Sequence, residues 1–329
     1  MKALALFSGG LDSSLAIKVI LDQGIEIVAL NFKSPFCLCE KSQGCGSSIK
    51  KMAGQLGVEL KNIYLGQEYL EMIENPKYGY GKNLNPCIDC RIFKFKQAKK
   101  IMEEIGAAFT ISGEVLGQRP MSQHRRALQI IETESGLEGL ILRPLSAKLF
   151  PPTLPEEKGW INRDSLLDIQ GRTRKPQINL ASCLGIKDYP CPAGGCLLTE
   201  TNFSRRIKDL FKSGKNTFNN AQLLRLGRHF RITPEFKLIV GRNENENTRI
   251  LNLAQEKDLI FEPDDLPGPT ALGRGSCSKE TELLASKIIA RYTSRDNEVK
   301  VRVKTCPPNG EKSFLVEEID EKELERFRI

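Results

Sequence analysis

The chain opens on an apolar run, Ala3-Leu4-Ala5-Leu6, drops into Phe7-Ser8-Gly9-Gly10, and resumes with apolar residues through Leu15-Ala16-Ile17-Lys18-Val19-Ile20. A short apolar run ending at glycines reads as a buried strand and its turn, and the denser apolar stretch that follows reads as a helix. The alternation recurs. Ile25 to Leu30 predicts a second strand, Ser47 to Leu56 a helix, Glu59 to Leu65 a third strand, Phe109-Thr110-Ile111 a fourth, and Leu140 to Leu145 a fifth. Strands alternating with helices predict an α/β fold with a doubly wound parallel sheet. In such sheets ligands gather at the carboxyl ends of the strands, where Ser8 to Ser13 lies.

The pattern changes after Pro151, Pro152 and Pro155, which punctuate the chain and begin an interdomain connection. We therefore expect a first domain over 1–155, a connecting segment over 156–200 and a smaller α+β domain over 201–329. Within the last, Phe236 to Val240, Leu259 to Phe261, Val299 to Val303 and Ser313 to Val316 read as strands, with a helix over Glu280 to Tyr292. A length of 329 residues suits two domains.

Composition narrows the class. Hydrophobic residues make up 40% and charged residues 27%, the balance of a soluble globular protein, and no apolar run reaches the length of a membrane span. The first residues enter a strand at once, without a basic region and apolar signal core, so the expected compartment is cytoplasmic. There, ten cysteines point to metal, cluster or sulfur-carrying thiols more than to a disulfide framework. The net charge of +8 fits a polyanionic partner. Much of it is local: between Thr201 and Arg242 there are ten Lys and Arg against only Asp209 and Glu235.

The first turn is chemically specific. A Ser/Gly turn feeding a helix N-terminus presents bare N–H groups, close approach and hydroxyl donors, which together make an anion cradle from Ser8, Gly9, Gly10, Asp12, Ser13 and Ser14. The Gly-Lys-Ser/Thr ending of a Walker loop is missing. Asp12 reads either as a Mg²⁺ ligand beside bound phosphates or as a helix N-cap.

Asn85-Pro86-Cys87-Ile88-Asp89-Cys90-Arg91 supplies two thiols three residues apart at a turn entering a basic helix. Such a pair can share a metal or cluster, with the helix N-terminus and Arg91 favouring thiolates. A four-thiolate zinc site needs a second such pair, whereas a [4Fe–4S] cluster with three protein ligands leaves one iron open. The third thiol must come from Cys183, Cys191 or Cys196. Cys183 reads as buried behind a helix. Cys196 is favoured because Gly194 and Gly195 permit close approach, with Cys191 the alternative and a zinc knuckle or plain core thiols the bland reading. Cys37, Cys39 and Cys45 follow the second strand and could hold zinc, relay sulfur or be inert. His229 reads as a structural or phosphate-facing histidine, His124 as part of a solvated basic face, and Trp160 as packing.

Several motifs carry a family resemblance. Ser8-Gly9-Gly10-Leu11-Asp12-Ser13 resembles the pyrophosphate (PP) loop of ATP pyrophosphatases, a superfamily with an adenine nucleotide α-hydrolase-like fold that adenylates a carbonyl-type oxygen. Ser112-Gly113-Glu114-Val115-Leu116-Gly117-Gln118, then Ser122-Gln123 one residue later than usual, and Leu142-Arg143-Pro144-Leu145 are similar to segments of tRNA 4-thiouridine synthetases. Asn85-Pro86-Cys87 with Cys90 is similar to a segment of tRNA 2-thiouridylases. Gly227-Arg228-His229-Phe230 and Val240 to Asn247 resemble parts of the NFACT RNA-binding domain. The resemblance implies an ATP-dependent tRNA sulfurtransferase in which Ser8, Gly9, Gly10, Asp12, Ser13, Ser14, Gly113, Glu114 and Gln118 bind ATP and Mg²⁺. It also implies that Asp12, Cys87 and Cys90 serve catalysis, and that Cys87, Cys90 and Cys196 hold a [4Fe–4S] cluster. The implied partners are tRNA and a sulfur donor, either sulfide or a persulfide-carrying protein. The 4-thiouridine synthetases carry a tRNA-binding module ahead of the loop, so here RNA docking is expected from the basic C-terminal domain.

Two other classes compete. A PP-loop ligase or amidotransferase using a nitrogen nucleophile shares the activation step but leaves the cysteines unexplained. A non-catalytic RNA-binding protein with a relic loop leaves the intact loop unexplained.

Overall fold

The computed structural model describes residues 1–37, 45–187, 189, 196–264, 266–294, 300–306 and 310–329. They divide into two compact units, Met1–Thr199 and Glu200–Ile329. Among the described residues no helix is long and apolar enough to cross a membrane.

The first unit runs β1 (Lys2–Leu6), α1 (Leu11–Leu21), β2 (Glu26–Lys33), α2 (Cys45–Leu56), β3 (Glu59–Tyr64), α3 (Gln67–Glu74), α4 (Cys87–Glu104), β4 (Phe109–Ser112), α5 (Arg125–Ser135), β5 (Ile141–Leu142), α6 (Leu154–Glu157) and α7 (Lys175–Cys183). The sheet order is β3-β2-β1-β4-β5, and every pairing is parallel. β1 shows why both faces must be covered. Ala3 and Ala5 join a core with Leu15, Ile17 and Ile20 of α1, while Leu4 and Leu6 join Phe95, Ala98 and Met102 of α4. Successive side chains of a strand point to opposite faces, so a strand apolar at every position needs helices on both sides.

The order also fixes the site. The chain leaves β1 toward β2 and later returns on the other side of β1 as β4, so the strand order reverses between β1 and β4. Loops diverge at such a switch point and leave a crevice at the carboxyl ends. The turns after β1 and after β4 both border it. β5 is shorter than the apolar run predicts: Pro144 has no N–H for a ladder, and Arg143 turns to the buried Glu114 instead.

The second unit comprises α8 (Thr201–Lys212), α9 (Phe218–Leu223), β6 (Arg228–Arg231), β7 (Phe236–Val240), α10 (Glu244–Asn252), β8 (Leu259–Pro263), β9 (Ala271–Gly275), α11 (Lys279–Arg291), β10 (Lys300–Cys306), β11 (Lys312–Glu317) and α12 (Glu321–Glu325). Its antiparallel sheet has the order β11-β10-β8-β9-β7-β6. Ala285, Ile288 and Ile289 of α11 share a core with Phe236, Phe261 and Val303 of the sheet. β6 and β9 are not among the strands expected from the sequence. β9 reads Ala-Leu-Gly-Arg-Gly, without a β-branched residue. Its Gly273 is dictated by packing, because a Cβ there would stand 2.4 Å from Phe236 Cζ and 2.8 Å from Phe261 Cε2.

Candidate active site at the sheet switch point

The loop after β1 is held open by its own hydroxyls. Gly9 takes φ +72°, and a Cβ there would meet Ile49 Cγ1 of α2 at 2.6 Å. Ser13 and Ser14 donate back to the Gly10 carbonyl at 2.9 and 3.0 Å, and the Ser8 and Ser13 hydroxyls lie 3.2 Å apart. Gly10 is the N-cap of α1 and offers no side-chain cap. The first N–H groups of α1 thus face the crevice without a side-chain acceptor, as an anion cradle requires. Asp12 is not the N-cap. It sits in the first turn, where Gln118 donates to Oδ2 at 3.1 Å and Oδ1 is buried with no hydrogen-bond partner. An unpaired buried carboxylate oxygen beside an anion cradle is a donor suited to Mg²⁺.

The turn after β4 closes the other side of the crevice. Gly113 packs directly on the first turn of α1. Glu114, 1% exposed, lies between two guanidiniums: Arg91 Nε at 3.4 Å and Arg143 Nε at 3.2 Å. Arg143 also pairs with Glu132, and its guanidinium lies 6.0 Å from the Phe150 ring centre. Glu114 is therefore a buried anchor for Arg91, one turn beyond Cys87. Ser122 and Gln123 are buried, and the Gln123 carbonyl accepts from Gly117 N at 2.6 Å. Arg119 follows Gln118 in the same turn and is exposed.

The thiols assemble beside this turn. Cys87 opens α4 and Cys90 follows one turn later, with Arg91 and Lys94 four residues after each on the same face. Asp89 between them is buried and accepts from Lys77 N at 2.8 Å, which anchors the preceding loop. Tyr69 of α3, which no sequence motif marks, is 3% exposed and places its hydroxyl 3.0 Å from Cys90 Sγ. Burial raises the Cys90 pKa, but Lys94, the Tyr69 hydroxyl and Arg91 outweigh it and hold the thiol below its ordinary value. At Cys87 burial prevails, helped by Cys90 and opposed by Arg91 and Arg119, and the pKa is raised.

Cys196 is brought to the same place by main-chain bonds. Leu197 N donates to Phe36 O at 3.0 Å, Leu84 N to Leu198 O at 3.2 Å, and Asn83 Nδ2 to Thr199 O at 2.8 Å. Cys196 thereby bridges Cys37 in an antiparallel pair. Burial, with Cys90 and Cys37 adding to it against a hydrogen bond from the Leu198 main chain, pushes the Cys196 thiol up to about 12. Cys183 does not join the group: it is exposed at the end of α7. It follows the buried Ala181 by two residues, roughly 200° around the helix. Cys39, Cys191 and the side chain of Cys45 lie outside the described residues. Among the described residues no three His, Cys, Asp or Glu side chains are arranged to hold a metal ion. The charge of Cys90 adds to the cost of ionising Cys196.

The second unit spends many of its cations internally. Arg231 and Lys237 both pair with Asp209, Arg206 donates to the Leu224 and Gly227 carbonyls, and Arg242 pairs with Glu246. His229 is 1% exposed, with Nε2 2.8 Å from the Leu226 carbonyl, so it does not face phosphate. The two segments similar to NFACT proteins join each other: Glu246 accepts from Gly227 N at 3.1 Å, and a Cβ on Gly227 would meet the Val240 carbonyl oxygen at 2.3 Å. Arg205, Lys208 and Lys212 remain exposed on α8. Elsewhere His124 caps α5, accepting from Ala127 N at 3.2 Å, and Trp160 packs against the first core beneath Lys158.

Together these features define a crevice at the strand-order reversal with an anion cradle on one side and a thiol group at its edge, in a chain whose second unit is an α+β module. Residues 1–148 match the family described as "Thiamine biosynthesis protein (ThiI)", and residues 227–328 match the "NFACT protein RNA binding domain". The tRNA-specific 2-thiouridylase of Petrotoga mobilis is 34% identical over 130 residues, 35% of this chain and 35% of that protein. A probable tRNA sulfurtransferase of Thermococcus kodakarensis is 31% identical over 144 residues, 44% of this chain and 36% of that protein. Each match spans about a third of the relative's length. Among solved structures, a 4-thiouridine synthetase in complex with RNA and bound ATP is 22% identical, covering 67% of this chain and 53% of that one at a TM-score of 0.38.

Proposed function

We propose that this protein is an ATP-dependent tRNA sulfurtransferase that converts a uridine to a thiouridine. The observation that carries the reading is the short path from nucleotide loop to thiols: Gly113 packs on Ser13, and the next residue, Glu114, pairs with Arg91, four residues after Cys87 on one helix. A loop that activates an oxygen and a thiol group that handles sulfur serve one reaction only if a single substrate atom can reach both.

In the first step ATP lies with its β- and γ-phosphates on Ser8, Gly9, Gly10 and Ser13, and Asp12 holds Mg²⁺. A uracil carbonyl oxygen attacks the α-phosphorus, the bond to the β-phosphate oxygen breaks, and the adjacent N3 proton leaves to water. The poor leaving oxygen is now part of an adenylate. Hydrosulfide then adds to that carbon, AMP departs, and the proton on sulfur passes to N3 as the thiocarbonyl forms. With a persulfide donor the terminal sulfur adds instead, AMP departs, and a second thiol attacks the donor's own sulfur, closing a disulfide and freeing the thiocarbonyl while N3 regains a proton from water. Cys87, Cys90 and Cys196 would hold a [4Fe–4S] cluster, which when bound supplies an iron open to sulfide. The residues themselves prepare that seat: Tyr69 and Lys94 favour the anionic form of Cys90, and Arg91, anchored by Glu114, faces Cys87.

RNA docks through the second unit. Arg205, Lys208 and Lys212 recur at three- and four-residue spacing along one exposed side of α8, and no described residue pairs with them. Free cations in a row suit a phosphate backbone, whereas Arg231, Lys237 and Arg242 are committed to carboxylates.

The test is direct. Protein purified without oxygen is incubated with ATP, sulfide and unmodified tRNA, and the digested nucleosides are analysed by mass spectrometry. Thiouridine is expected from the wild type and not from Asp12→Ala, and iron near four per chain is expected to fall on changing Cys87, Cys90 or Cys196. Stoichiometric zinc without iron would overturn the cluster, and a product lacking sulfur would overturn the reaction.

A further inference from the structure

Cys37 and Cys196, far apart in sequence, meet as one isolated antiparallel pair. Leu197 N donates to Phe36 O at 3.0 Å, a bond between the residues that flank the pair. The pair's own main-chain groups are engaged elsewhere: Cys37 N donates to Ser34 O at 3.3 Å, and the Cys196 carbonyl accepts from Thr199 N at 2.9 Å and from the Thr199 hydroxyl at 2.7 Å. Cys37 and Cys196 are therefore opposed residues of the non-hydrogen-bonded kind, whose Cα atoms stand about 4.5 Å apart with both side chains on one face. A disulfide asks for a Cα separation of about 4.4–6.8 Å. The backbone already supplies it, and both thiols are free.

Each partner is held from behind. Phe36 is buried with its ring centre 6.2 Å from that of Tyr69, while Ser34 Oγ accepts from Phe36 N and lies 3.3 Å from Cys37 Sγ. On the other side Leu197 and Leu198 are buried next to Cys196, and Leu84 N and Asn83 Nδ2 tie down the Leu198 and Thr199 carbonyls. The pair is a single bridge and not part of a ladder, so drawing its Cβ atoms to the ~3.8 Å of a disulfide disturbs no neighbouring described pair. Both cysteines keep partial exposure, which leaves them open to a small oxidant.

We propose that Cys37 and Cys196 are an oxidation site, closing a reversible cross-strand disulfide by exchange with a small-molecule disulfide such as oxidised glutathione. The Cys37 thiolate attacks one sulfur of that disulfide and expels the other as a thiolate, leaving a mixed disulfide on Cys37. Cys196 then gives up its proton to water and attacks the Cys37 sulfur, expelling the second thiolate. Two protein thiols are oxidised, one external disulfide is reduced, and the two protons lost by the protein end on the two small thiols. Little of Cys196 is ionised at neutral pH, which slows the second step, so the position of equilibrium is the quantity to measure. Closure also withholds the Cys196 sulfur from Cys87 and Cys90, a consequence that rests on the thiolation reading above, whereas the disulfide itself does not.

The full-length protein, reduced and freed of metal, is brought to equilibrium without oxygen in glutathione buffers of graded composition, quenched with acid, alkylated unfolded and mapped by mass spectrometry. A peptide joined through Cys37 and Cys196 is expected. Because closure releases two reduced glutathiones, raising reduced glutathione about tenfold at fixed oxidised glutathione should lower the ratio of closed to open form about 100-fold, against about tenfold for a mixed disulfide. Cys37→Ser should leave Cys196 a thiol at every composition. Glutathione on the exposed Cys183 shows in the same map that the buffers oxidise. Cys37 and Cys196 found only as thiols or mixed disulfides in those buffers, or Cys196 joined instead to Cys39, Cys90 or Cys191, would overturn the pair. Iron separates the two readings: closed protein should take up less iron and sulfide than reduced protein and recover on treatment with dithiothreitol. A wild type that closes the disulfide yet takes up no iron in either state sustains the oxidation site and removes the cluster.

Discussion

A Cβ on Gly113 would stand 2.6 Å from both the nitrogen and the Cα of Ser13, so the end of β4 and the first turn of α1 touch through bare backbone. No side chain can yield there. Gly113→Ala should therefore displace the nucleotide loop itself, with a stability cost of about 1–3 kcal/mol. The expected result is a lowered unfolding midpoint together with weakened ATP binding. Ordinary nucleotide affinity in a folded Gly113→Ala protein would show that the loop does not depend on this close approach.

Cys90 and Cys196 should differ sharply in reactivity once the protein is reduced and freed of metal. At neutral pH a thiol held near 12 carries almost no thiolate, whereas Cys90 is held below its ordinary value. Isotope-coded alkylation at pH 7, read by mass spectrometry, should label Cys90 well ahead of Cys196. Tyr69→Phe removes a hydrogen bond to the thiolate, about 1.5–3 kcal/mol, and should move the Cys90 alkylation profile up by about 1–2 pH units. An unmoved profile would mean that Lys94 and Arg91 suffice.

Acid should loosen the second unit through His229. Burial, with Lys237 and Arg206 nearby, lowers its pKa well below the ordinary value, so the folded state keeps the ring neutral. As pH falls below about 6.5 the unfolded chain takes up a proton that the folded chain refuses, and stability declines by up to about 1.4 kcal/mol per pH unit. Above that pH neither state binds the proton and the contribution is flat. Hydrogen exchange at β6 and β7 amides between pH 7 and 5 measures this, and His229→Gln should remove the slope. Equal slopes in both proteins would place the acid sensitivity elsewhere.

The α8 row should govern the salt dependence of RNA binding. Reversing Arg205, Lys208 or Lys212 to Glu should lower tRNA affinity and reduce the slope of log affinity against log salt by about 1 for each phosphate no longer neutralised. Arg231→Glu instead breaks an ion pair with Asp209 and should act on stability. Gel-shift titrations at two salt concentrations, beside thermal unfolding, separate the two effects. RNA affinity untouched by all three α8 changes would move the docking surface off this helix.

What the amino-acid sequence determined alone was local or periodic. The strand, Ser-Gly-Gly turn and helix from Ala3 to Ile20 are contiguous, so the anion cradle is legible within a few residues, and the Cys87–Cys90 spacing on a helix start needs no partner to be seen. The apolar runs announce a sheet buried on both faces because β1 contributes to a core on each. Tertiary structure decided what depends on strand order and on pairing across the chain. The reversal between β1 and β4 brings Gly113 onto Ser13 and Gln118 onto Asp12, and main-chain bonds to Phe36 and Leu84 carry Cys196 to Cys37. Charge illustrates the division best. The ten cations from Arg205 to Arg242 look alike in sequence, but each loses its freedom or keeps it according to whether folding sets a carboxylate or carbonyl beside it. Asp209 and Glu246 neutralise Arg231, Lys237 and Arg242 at the core edge and leave the α8 row in solvent.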